Sequence, residues 1–415
     1  MAESVYACGS RVKTYGREIE GSSQLFNLTD TRDDEVAGFV DYLMENGWEL
    51  KSPTSIEGNN FFRLTHGRLK VSINYYGNTN SAAIVADQSG NVSPDDISYT
   101  YEPKTGEAAE VYMFGLKMDP FGYNWNEEGN TNGYPNNGEC LVIKCADNSV
   151  IIVDGGEKRQ MAADDQTRFI KFLHEITGKS EDEAITISAW YITHFHGDHV
   201  LGMCELLKNN SKKFRLERVI CNMPSLQAVS TSKPNKTNFQ NPADLILKYY
   251  PKCQEIKVHT GDVLRIADVT MTTLFTHEDI VDPTGKFTST DFNTTSTVMK
   301  IEAASGMSMV VTGDMSVEAE TILCRNFSPE TLKCHILQQP HHNLNNNEKI
   351  YEFANTQVML FTQREGQFDK DSNRRSQAYL AQELSREWYC QGDKTVGFGV
   401  VNGKVKLIYE ENLQY

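Results

Sequence analysis

The chain has 415 residues, a formal net charge of −16 at pH 7, 39% hydrophobic residues and 23% charged residues. This length predicts one large domain with an extra module, and the composition excludes a disordered or collagen-like chain. The acidic surplus gives no strong nucleic-acid signal, because binding to phosphates usually requires a basic face. No window approaches the roughly 18 apolar residues of a membrane span, and the first residues lack a signal-peptide pattern, so we expect a cytoplasmic protein.

The first hundred residues predict a small α+β module. Residues 33–46 have helical periodicity in their apolar positions, and an Asn-Gly pair ends the pattern. Short strand-like runs follow at 48–50, 60–64, 69–76 and 82–86. Residues 87–105 are rich in Ser, Gly, Asp and Pro, which predicts a linker. We therefore expect an accessory module at 1–105 and a main domain at 106–415.

The main domain alternates strands and helices in a layered order. Strands are predicted at 108–116, 140–144, 149–153 and 185–192, helices at 166–176 and 200–208, and later strand pairs near 263–275 and 297–312. Strand pairs, helices and further strand pairs predict a sandwich of sheets flanked by helices. The nine cysteines contain no CxxC pair, which predicts reduced and mostly buried thiols.

Three of the ten histidines fall within six residues at the end of the predicted strand 185–192, together with one aspartate. Charged imidazoles at this spacing would repel one another, and unpaired buried ones would be unfavourable, whereas a metal ion removes both problems. On an extended backbone His194 and His196 point the same way and can share one ion. Asp198 and His199 lie beyond the turn at Gly197, where they can serve a second ion.

This pattern resembles the signature of the metallo-β-lactamase superfamily, and three further elements occur in that family's order, one before the histidines and two after them. Residues 151–156 resemble its early Asp-x-Gly element, whose aspartate, here Asp154, supports the metal loop rather than binding metal. Residues 310–314 resemble the strand end that delivers a bridging carboxylate, here Asp314. Residues 340–343 resemble the element that supplies a histidine to the second metal.

The resemblance covers roughly residues 107–410 and implies an α+β, four-layer αββα sandwich, with the N-terminal module as an addition. It also implies a binuclear metal-dependent hydrolase with two divalent ions, Zn²⁺ in first place and Mn²⁺ or Fe²⁺ as other candidates. Asp198 would be catalytic as well as a ligand, because it can orient a hydroxide that bridges the ions. The implied metal ligands are His194, His196, Asp198, His199, Asp314, His341 and His342, with the choice between the last two left open.

The third histidine of the first metal is missing from its usual place. Many family members carry it in a loop shortly before the bridging aspartate, where this chain has Asn293. His277 lies further upstream, so Asn293 and His277 are both candidates for the first metal or for the substrate side. We interpret His66, His174, His259 and His335 as ordinary histidines.

Within the superfamily, the chain looks most like the hydrolase-like domain of DNA-uptake (competence) proteins and their phosphorylcholine esterase relatives. Residues 291–298 resemble that branch's Asn-x-x-Ser element, and His341-His342 resembles its His-His-Gly-Ser, with Asn343 in place of glycine. The branch implies a phosphate-ester substrate, either a phosphodiester or a phosphorylated small molecule. The aromatic loop 121–134 could stack on a base or hold a choline-like cation, although packing against the domain is the simpler interpretation.

Three other functions stay open at this point. An amide or lactone hydrolase could use the same metal site. From a different class, a di-iron redox protein shares the implied fold but would normally add a flavin domain. A non-catalytic scaffold is the third alternative. The sequence does not indicate the oligomeric state.

Overall fold

The computed structural model describes residues 15–19, 23–88, 94–119, 134–222, 236–280, 292–345, 347–369 and 372–415. These residues form three β-sheets with helices packed against them. The aromatic loop lies outside the described residues except for Tyr134. Within the described ranges, no helix is long and apolar enough to cross a membrane.

The N-terminal sheet is antiparallel, with the strand order β1-β2-β7-β6-β5-β3 and with β4 paired to β5. Its strands are β1 Tyr15–Ile19, β2 Ser23–Leu28, β3 Glu49–Leu50, β4 Thr54–Ile56, β5 Asn59–His66, β6 Leu69–Tyr76 and β7 Ser81–Gln88. Helix α1 (Asp33–Glu45) packs on this sheet through Val36, Phe39, Val40 and Leu43. Residues three and four apart share one face of a helix, so this spacing produces the apolar stripe. The predicted helix at 33–46 is confirmed.

The predicted linker at 87–105 is wrong for its middle part. This stretch contains a short helix, α2 (Pro94–Ile97), and a strand, β8 (Tyr99–Thr100). Strand β8 pairs in parallel with strand β16 (Val263–Ala267), and Ile97 is buried in the core of the main domain. Proline suits the first turn of a helix as well as it suits a loop, so composition alone did not separate the two.

The second sheet has the order β15-β14-β12-β11-β10-β9-β23-β24, with β13 paired to β12. Its strands are β9 Glu110–Met113, β10 Cys140–Lys144, β11 Val150–Asp154, β12 Ile185–Tyr191, β13 Phe214–Leu216, β14 Arg218–Cys221, β15 Gln254–Lys257, β23 Lys394–Val401 and β24 Lys404–Asn412. Three helices contribute to the apolar core on its outer face: α3 (Ala163–Thr177), α4 (Gly197–Asn209) and α5 (Lys236–Tyr249).

The third sheet has the order β22-β21-β20-β19-β18-β17-β16-β8. Its remaining strands are β16 Val263–Ala267, β17 Val269–Phe275, β18 Val298–Ala303, β19 Ser308–Val311, β20 Ile336–Gln338, β21 Val358–Phe361 and β22 Glu387–Cys390. Four helices contribute to the core on its outer face: α6 Val317–Asn326, α7 Pro329–Leu332, α8 Lys349–Ala354 and α9 Ser372–Glu383.

The second and third sheets bury one common apolar core between them. Leu141 and Ile151 reach it from the second sheet, and Met271 and Met309 reach it from the third. Since helices cover the outer face of each sheet, the main domain is a four-layer αββα sandwich, as the sequence predicted. Strands β11 and β12 are parallel neighbours, and so are β19, β20 and β21, so their carboxyl ends bring the following loops together.

The N-terminal sheet docks on the sandwich through buried opposite charges. Arg63 on β5 lies 2.5 Å from Asp262, and the two side chains are only 10% and 4% exposed. Asp87 on β7 lies 3.0 Å from Lys257. Gly261 packs against Phe61 of β5, and a side chain at Gly261 would collide with the ring of Phe61. We call this docking surface the module interface.

Candidate metal centre

The loop between β12 and α4 carries the histidine cluster, and Asp154 holds it in place. Asp154 ends β11 with a left-handed backbone, φ 55°, which aspartate tolerates better than most residues. Its carboxylate accepts the backbone N–H of Thr193 at 2.8 Å and the Thr193 hydroxyl at 2.7 Å, and it contacts Nδ1 of His199 at 2.6 Å. The nitrogen Nε2 of His199 is therefore directed away from Asp154.

One group of ligand atoms consists of His194, His196 and Asp314, all within 4.8 Å of one another. Nε2 of His194 lies 3.0 Å from Nδ1 of His196 and 3.7 Å from Oδ2 of Asp314. Nε2 of His341 is 3.9 Å from the same carboxylate oxygen. This side of the centre thus gathers three imidazoles and one carboxylate oxygen.

A second group consists of Asp198, His199, Asp314 and His342. Oδ1 of Asp314 lies 3.3 Å from Nε2 of His199 and 3.3 Å from Nε2 of His342. Oδ2 of Asp198 is 3.2 Å from Nε2 of His342 and 3.9 Å from Nε2 of His199. Asp314 belongs to both groups and turns a different oxygen toward each.

The turn after β20 directs His341 and His342 to different groups. Three consecutive residues have left-handed backbones, with φ 48° at His341, 46° at His342 and 63° at Asn343. Such a run is unfavourable for residues with side chains and is typical of functional sites. Nδ1 of His342 contacts the carbonyl and the hydroxyl of Thr362 at 3.0 and 2.8 Å, which leaves Nε2 facing Asp198 and Asp314.

Asn293 and His277 occupy different places. The amide of Asn293 lies 2.9 Å from Nε2 of His341, beside the first group. His277 is fully buried in the 3-10 turn His277–Asp279. In the part of the chain that the structure describes, His277 belongs to no group of three or more ligand-type side chains.

The centre is open to solvent on one side. Asp198 and His341 are 20% and 15% exposed, whereas His194, His199 and His342 are at most 1% exposed, so the open side is the side of Asp198 and His341.

The electrostatics couple these side chains strongly. Burial lowers the pKa of His342, but Asp314 and Asp198 outweigh this effect and raise it to about 9. Burial raises the pKa of Asp314, but the surrounding histidines outweigh it and hold that pKa well below the usual value. The pKa of His194 is well below the usual value because of burial and the nearby His199. The centre thus combines carboxylates that stay ionised with an imidazole that stays neutral.

This donor set fits divalent metal ions. Tetrahedral ligands at about 2.0–2.2 Å from an ion lie about 3.3–3.6 Å from each other. The contacts given above run from 3.0 to 3.9 Å, and all the donor atoms of His194, His196 and Asp314, and of the second group, lie within 4.8 Å of one another, so side-chain shifts of about 1 Å would complete both. Histidine and carboxylate ligands suit Zn²⁺, Mn²⁺ and Fe²⁺ alike.

Glu139 is a residue of this region that the sequence did not single out. It is fully buried immediately before β10, and it forms a third group of ligand-type atoms with Asp154 and His199. Burial and the nearby Asp154 raise its pKa well above the usual value. A lone glutamate at the start of the apolar run 140–143 was the available signal, but one carboxylate has no spacing that would mark it.

Comparison with known proteins agrees with this centre. The family model described as the metallo-beta-lactamase superfamily matches residues 133–349, which is about half of the chain. The chain belongs to the metallo-β-lactamase superfamily. The match contains the turn after Asp154, the histidine loop, Asp314 and the His341-His342 turn. No curated protein matches the chain.

Several solved structures are similar to this superfamily member at low identity. The metallo-beta-lactamase fold protein YhfI from Bacillus subtilis is 15% identical, with 68% of this chain and 96% of that chain covered and a TM-score of 0.40. The short form of human tRNase Z is 12% identical, with 61% and 92% covered and a TM-score of 0.34. CmlA, a diiron beta-hydroxylase from Streptomyces venezuelae, is 12% identical, with 70% and 54% covered and a TM-score of 0.38.

Proposed function

We propose that this protein is a binuclear metal-dependent hydrolase. The observation that carries the proposal is the double use of Asp314, whose two oxygens face two separate sets of imidazoles. His194, His196 and His341 would hold one ion with Asp314. Asp198, His199 and His342 would hold the other. When bound, two such ions would lower the pKa of a water and stabilise negative charge on the substrate.

The protein's own residues would orient the reaction. Asp198 is a ligand on the open side of the centre and can accept a hydrogen bond from the attacking water. Thr362 fixes the ring of His342 through Nδ1, and Asp154 does the same for His199. Contacts of this kind fix the orientation of the ligand rings, so that their free nitrogens stay directed at the metal position.

Phosphate esters are the substrate class that we propose, either phosphodiesters or phosphorylated small molecules. This rests on the resemblance to competence proteins and phosphorylcholine esterases, which is an analogy. The residues that carry the resemblance converge on the centre. The hydroxyl of Ser296 accepts the backbone N–H of Asp314 at 3.1 Å, and Asn293 lies beside His341. Hydrolysis of amides or lactones at the same centre is the second candidate.

The division of the chain is part of the proposal. We propose an accessory module at 1–105 that caps the site or mediates assembly, followed by the hydrolase domain at 106–415. Two observations support it: the N-terminal sheet pairs only within itself among the described strands, and it has its own apolar core with α1. Strand β8 belongs to the third sheet and Ile97 to the core between the second and third sheets, so the sheet of the module ends at Gln88, and residues 94–100 pack with the hydrolase domain although they precede residue 106.

A hydrolysis panel on the metal-loaded protein tests the function. The substrates are a phosphodiester, a phosphomonoester, phosphorylcholine, a lactone and a β-lactam, and the metal content is measured on the same sample. We expect turnover of a phosphate ester with two bound ions per chain. Turnover of the lactone alone would favour the second candidate. Tightly bound iron with redox-active spectra would favour a di-iron redox protein, and a chain that binds no metal would be a scaffold.

Two variants make the assignment specific. Asp314→Ala and His196→Ala should each abolish hydrolysis and leave the fold largely intact. Asp369→Ala and His66→Ala are matched controls, since Asp369 is exposed and His66 lies on the N-terminal sheet. Full activity in either of the first two variants would contradict the proposed centre.

A further inference from the structure

Glu139 is a buried carboxyl group beside the metal centre and is not one of the proposed metal ligands. It is 0% exposed, and among the described residues neither of its carboxyl oxygens has a hydrogen-bond partner. Burying a carboxyl group without hydrogen bonds is unfavourable, so packing alone does not account for a glutamate here. The four residues after it, 140–143, are all apolar and buried, as expected for a strand inside the sandwich.

The side chain of Glu139 lies behind His199. Its Oε2 is 3.9 Å from Nδ1 of His199, the nitrogen that also contacts Asp154. The other ring nitrogen, Nε2, faces Asp314 and Asp198. Two carboxyl groups thus lie on one side of this imidazole and two on the other. Any tilt of the ring away from the ligand geometry would change its contact with Glu139.

The backbone of Glu139 connects two parts of the centre. Its N–H donates to the carbonyl of Asp198 at 3.2 Å, and its carbonyl accepts the N–H groups of Gly155 and Gly156, each at 2.8 Å. One residue therefore links the histidine loop to the turn that carries Asp154. A displacement of Glu139 would therefore move Asp198 and the turn that carries Asp154 together, and Asp154 in turn holds His199 of the second ligand group.

We propose that Glu139 is a positioning residue for the second metal position, where it holds His199 and Asp198 in ligand geometry. This inference rests on the proposed binuclear function. Residues that orient metal ligands in this way typically change metal affinity by about 10–100-fold when they are removed. The first position does not include His199 or Asp198, so the effect should be selective.

The test measures how tightly the full-length chain binds each equivalent of Zn²⁺. Metal-stripped wild type and variants are titrated with Zn²⁺ in competition with a chromophoric chelator, and thermal unfolding of the metal-free proteins is followed in parallel. We expect Glu139→Ala to weaken one of the two equivalents about 10–100-fold and the other by less than about 3-fold. Glu139→Gln, which keeps the size and polarity of the side chain, should restore most of the affinity.

Two further variants complete the design. Glu110→Ala is the matched control, because Glu110 lies on the neighbouring strand β9 with partners away from the centre, and both equivalents should bind as in wild type. Glu139→Asp withdraws the carboxyl group by one methylene and decides the question alone if Glu139→Ala does not fold. We expect it to weaken the same single equivalent as Glu139→Ala and to leave the other unchanged.

The possible failures are distinguishable. Wild-type affinity for both equivalents in Glu139→Ala and Glu139→Asp would overturn the role of Glu139 and leave the proposed function standing. Equal weakening of both equivalents together with a lower unfolding temperature of the metal-free protein would overturn it too, in favour of a general structural role. A wild-type chain that binds fewer than two equivalents would contradict the proposed function itself.

Discussion

The metal centre and the module interface both bury charged side chains, but they arrange them differently. At the module interface, Arg63 lies against Asp262 and Lys257 against Asp87, so each cation has an anion beside it. At the metal centre, carboxylates and imidazoles from three loops converge on two ligand groups. Nε2 of His199, Nε2 of His342 and Oδ1 of Asp314 make no hydrogen bond there among the described residues.

This difference separates two uses of buried charge. Buried pairs that neutralise each other satisfy the chain by themselves and serve docking. Donor atoms that converge without partners leave the chain locally frustrated, which is the mark of a site that a ligand completes. Removing one buried charge should therefore abolish activity at the metal centre, whereas at the module interface it should affect stability alone.

The largest expected effect comes from Asp314→Asn. The amide keeps the size of the side chain but removes the charge that both ligand groups share, so we expect kcat/KM to fall by about 10³-fold or more. The metal-stripped protein should lose some unfolding free energy too, because the surrounding histidines stabilise the ionised carboxylate of Asp314 in the folded state. Metal content by mass spectrometry and urea unfolding check both parts. Retained activity in Asp314→Asn would contradict the role assigned to the Asp314 charge at the metal centre.

Arg63→Met should have the next largest effect, on stability alone. The change leaves Asp262 buried without its cation and also removes the bond that Arg63 donates to the carbonyl of Thr260. Breaking a buried ion pair from one side destabilises a protein by about 3–5 kcal/mol. Urea unfolding of the metal-stripped protein measures this, and the bound metal per folded chain should stay unchanged. Loss of metal would show that the two regions are not independent.

The interface should also loosen at alkaline pH. Burial lowers the pKa of His259, but Glu278 and Asp87 outweigh it and raise that pKa to about 9, with Lys257 as the opposing cation nearby. Because the folded pKa exceeds the unfolded value of about 6.5, the contribution is complete below about pH 6.5 and is lost as the pH rises through about 9.

The expected size of this contribution is about 3 kcal/mol. Unfolding free energies of wild type and His259→Gln, measured between pH 6 and 9.5, should converge by that amount as the pH rises. His66→Gln is the control, since His66 lies at the exposed end of β5. Parallel curves for wild type and His259→Gln would contradict the assignment of the charge to His259.

The smallest effect is expected at an exposed pair. Lys394 and Glu410 lie 2.6 Å apart on neighbouring strands, but their side chains are 28% and 42% exposed. Exposed pairs contribute about 0–1 kcal/mol because water screens them. Lys394→Ala should therefore change the unfolding free energy by less than about 1 kcal/mol. A loss as large as that of Arg63→Met would mean that burial does not account for the strength of the interface pair.

Local patterns predicted much of this structure because they depend on neighbouring residues. Apolar periodicity indicated α1, continuous apolar runs indicated strands β10 and β11, and the order of motifs indicated the αββα sandwich. The pairing of β8 with β16 was not predictable, because the partner strand lies more than 160 residues away. Composition at 94–100 was compatible with a linker until that partner was known.

The metal centre divides in the same way. His194, His196 and His199 lie within six residues, so their spacing alone predicted that these side chains meet. How His341 and His342 are shared depends on left-handed backbone angles, which only the asparagine at 343 hints at. The position of Glu139 depends on three segments that meet in the fold: its own segment before β10, the turn after β11 and the histidine loop. No pattern of neighbouring residues therefore marks it in the sequence. His277 was a candidate ligand because it lies upstream of Asp314 in the sequence. Among the described residues, however, it belongs to no ligand group.

The strand order of the second sheet also has a kinetic consequence. Strand β23 pairs with β9, although nearly 290 residues separate them along the chain, whereas the N-terminal sheet closes within the first 88 residues. Contacts between distant segments form slowly, and a chain emerging from the ribosome forms its early segments first. The N-terminal sheet can thus be complete while the sandwich still lacks two strands. Until β23 and β24 have been synthesised, β9 is therefore the exposed edge strand of the second sheet.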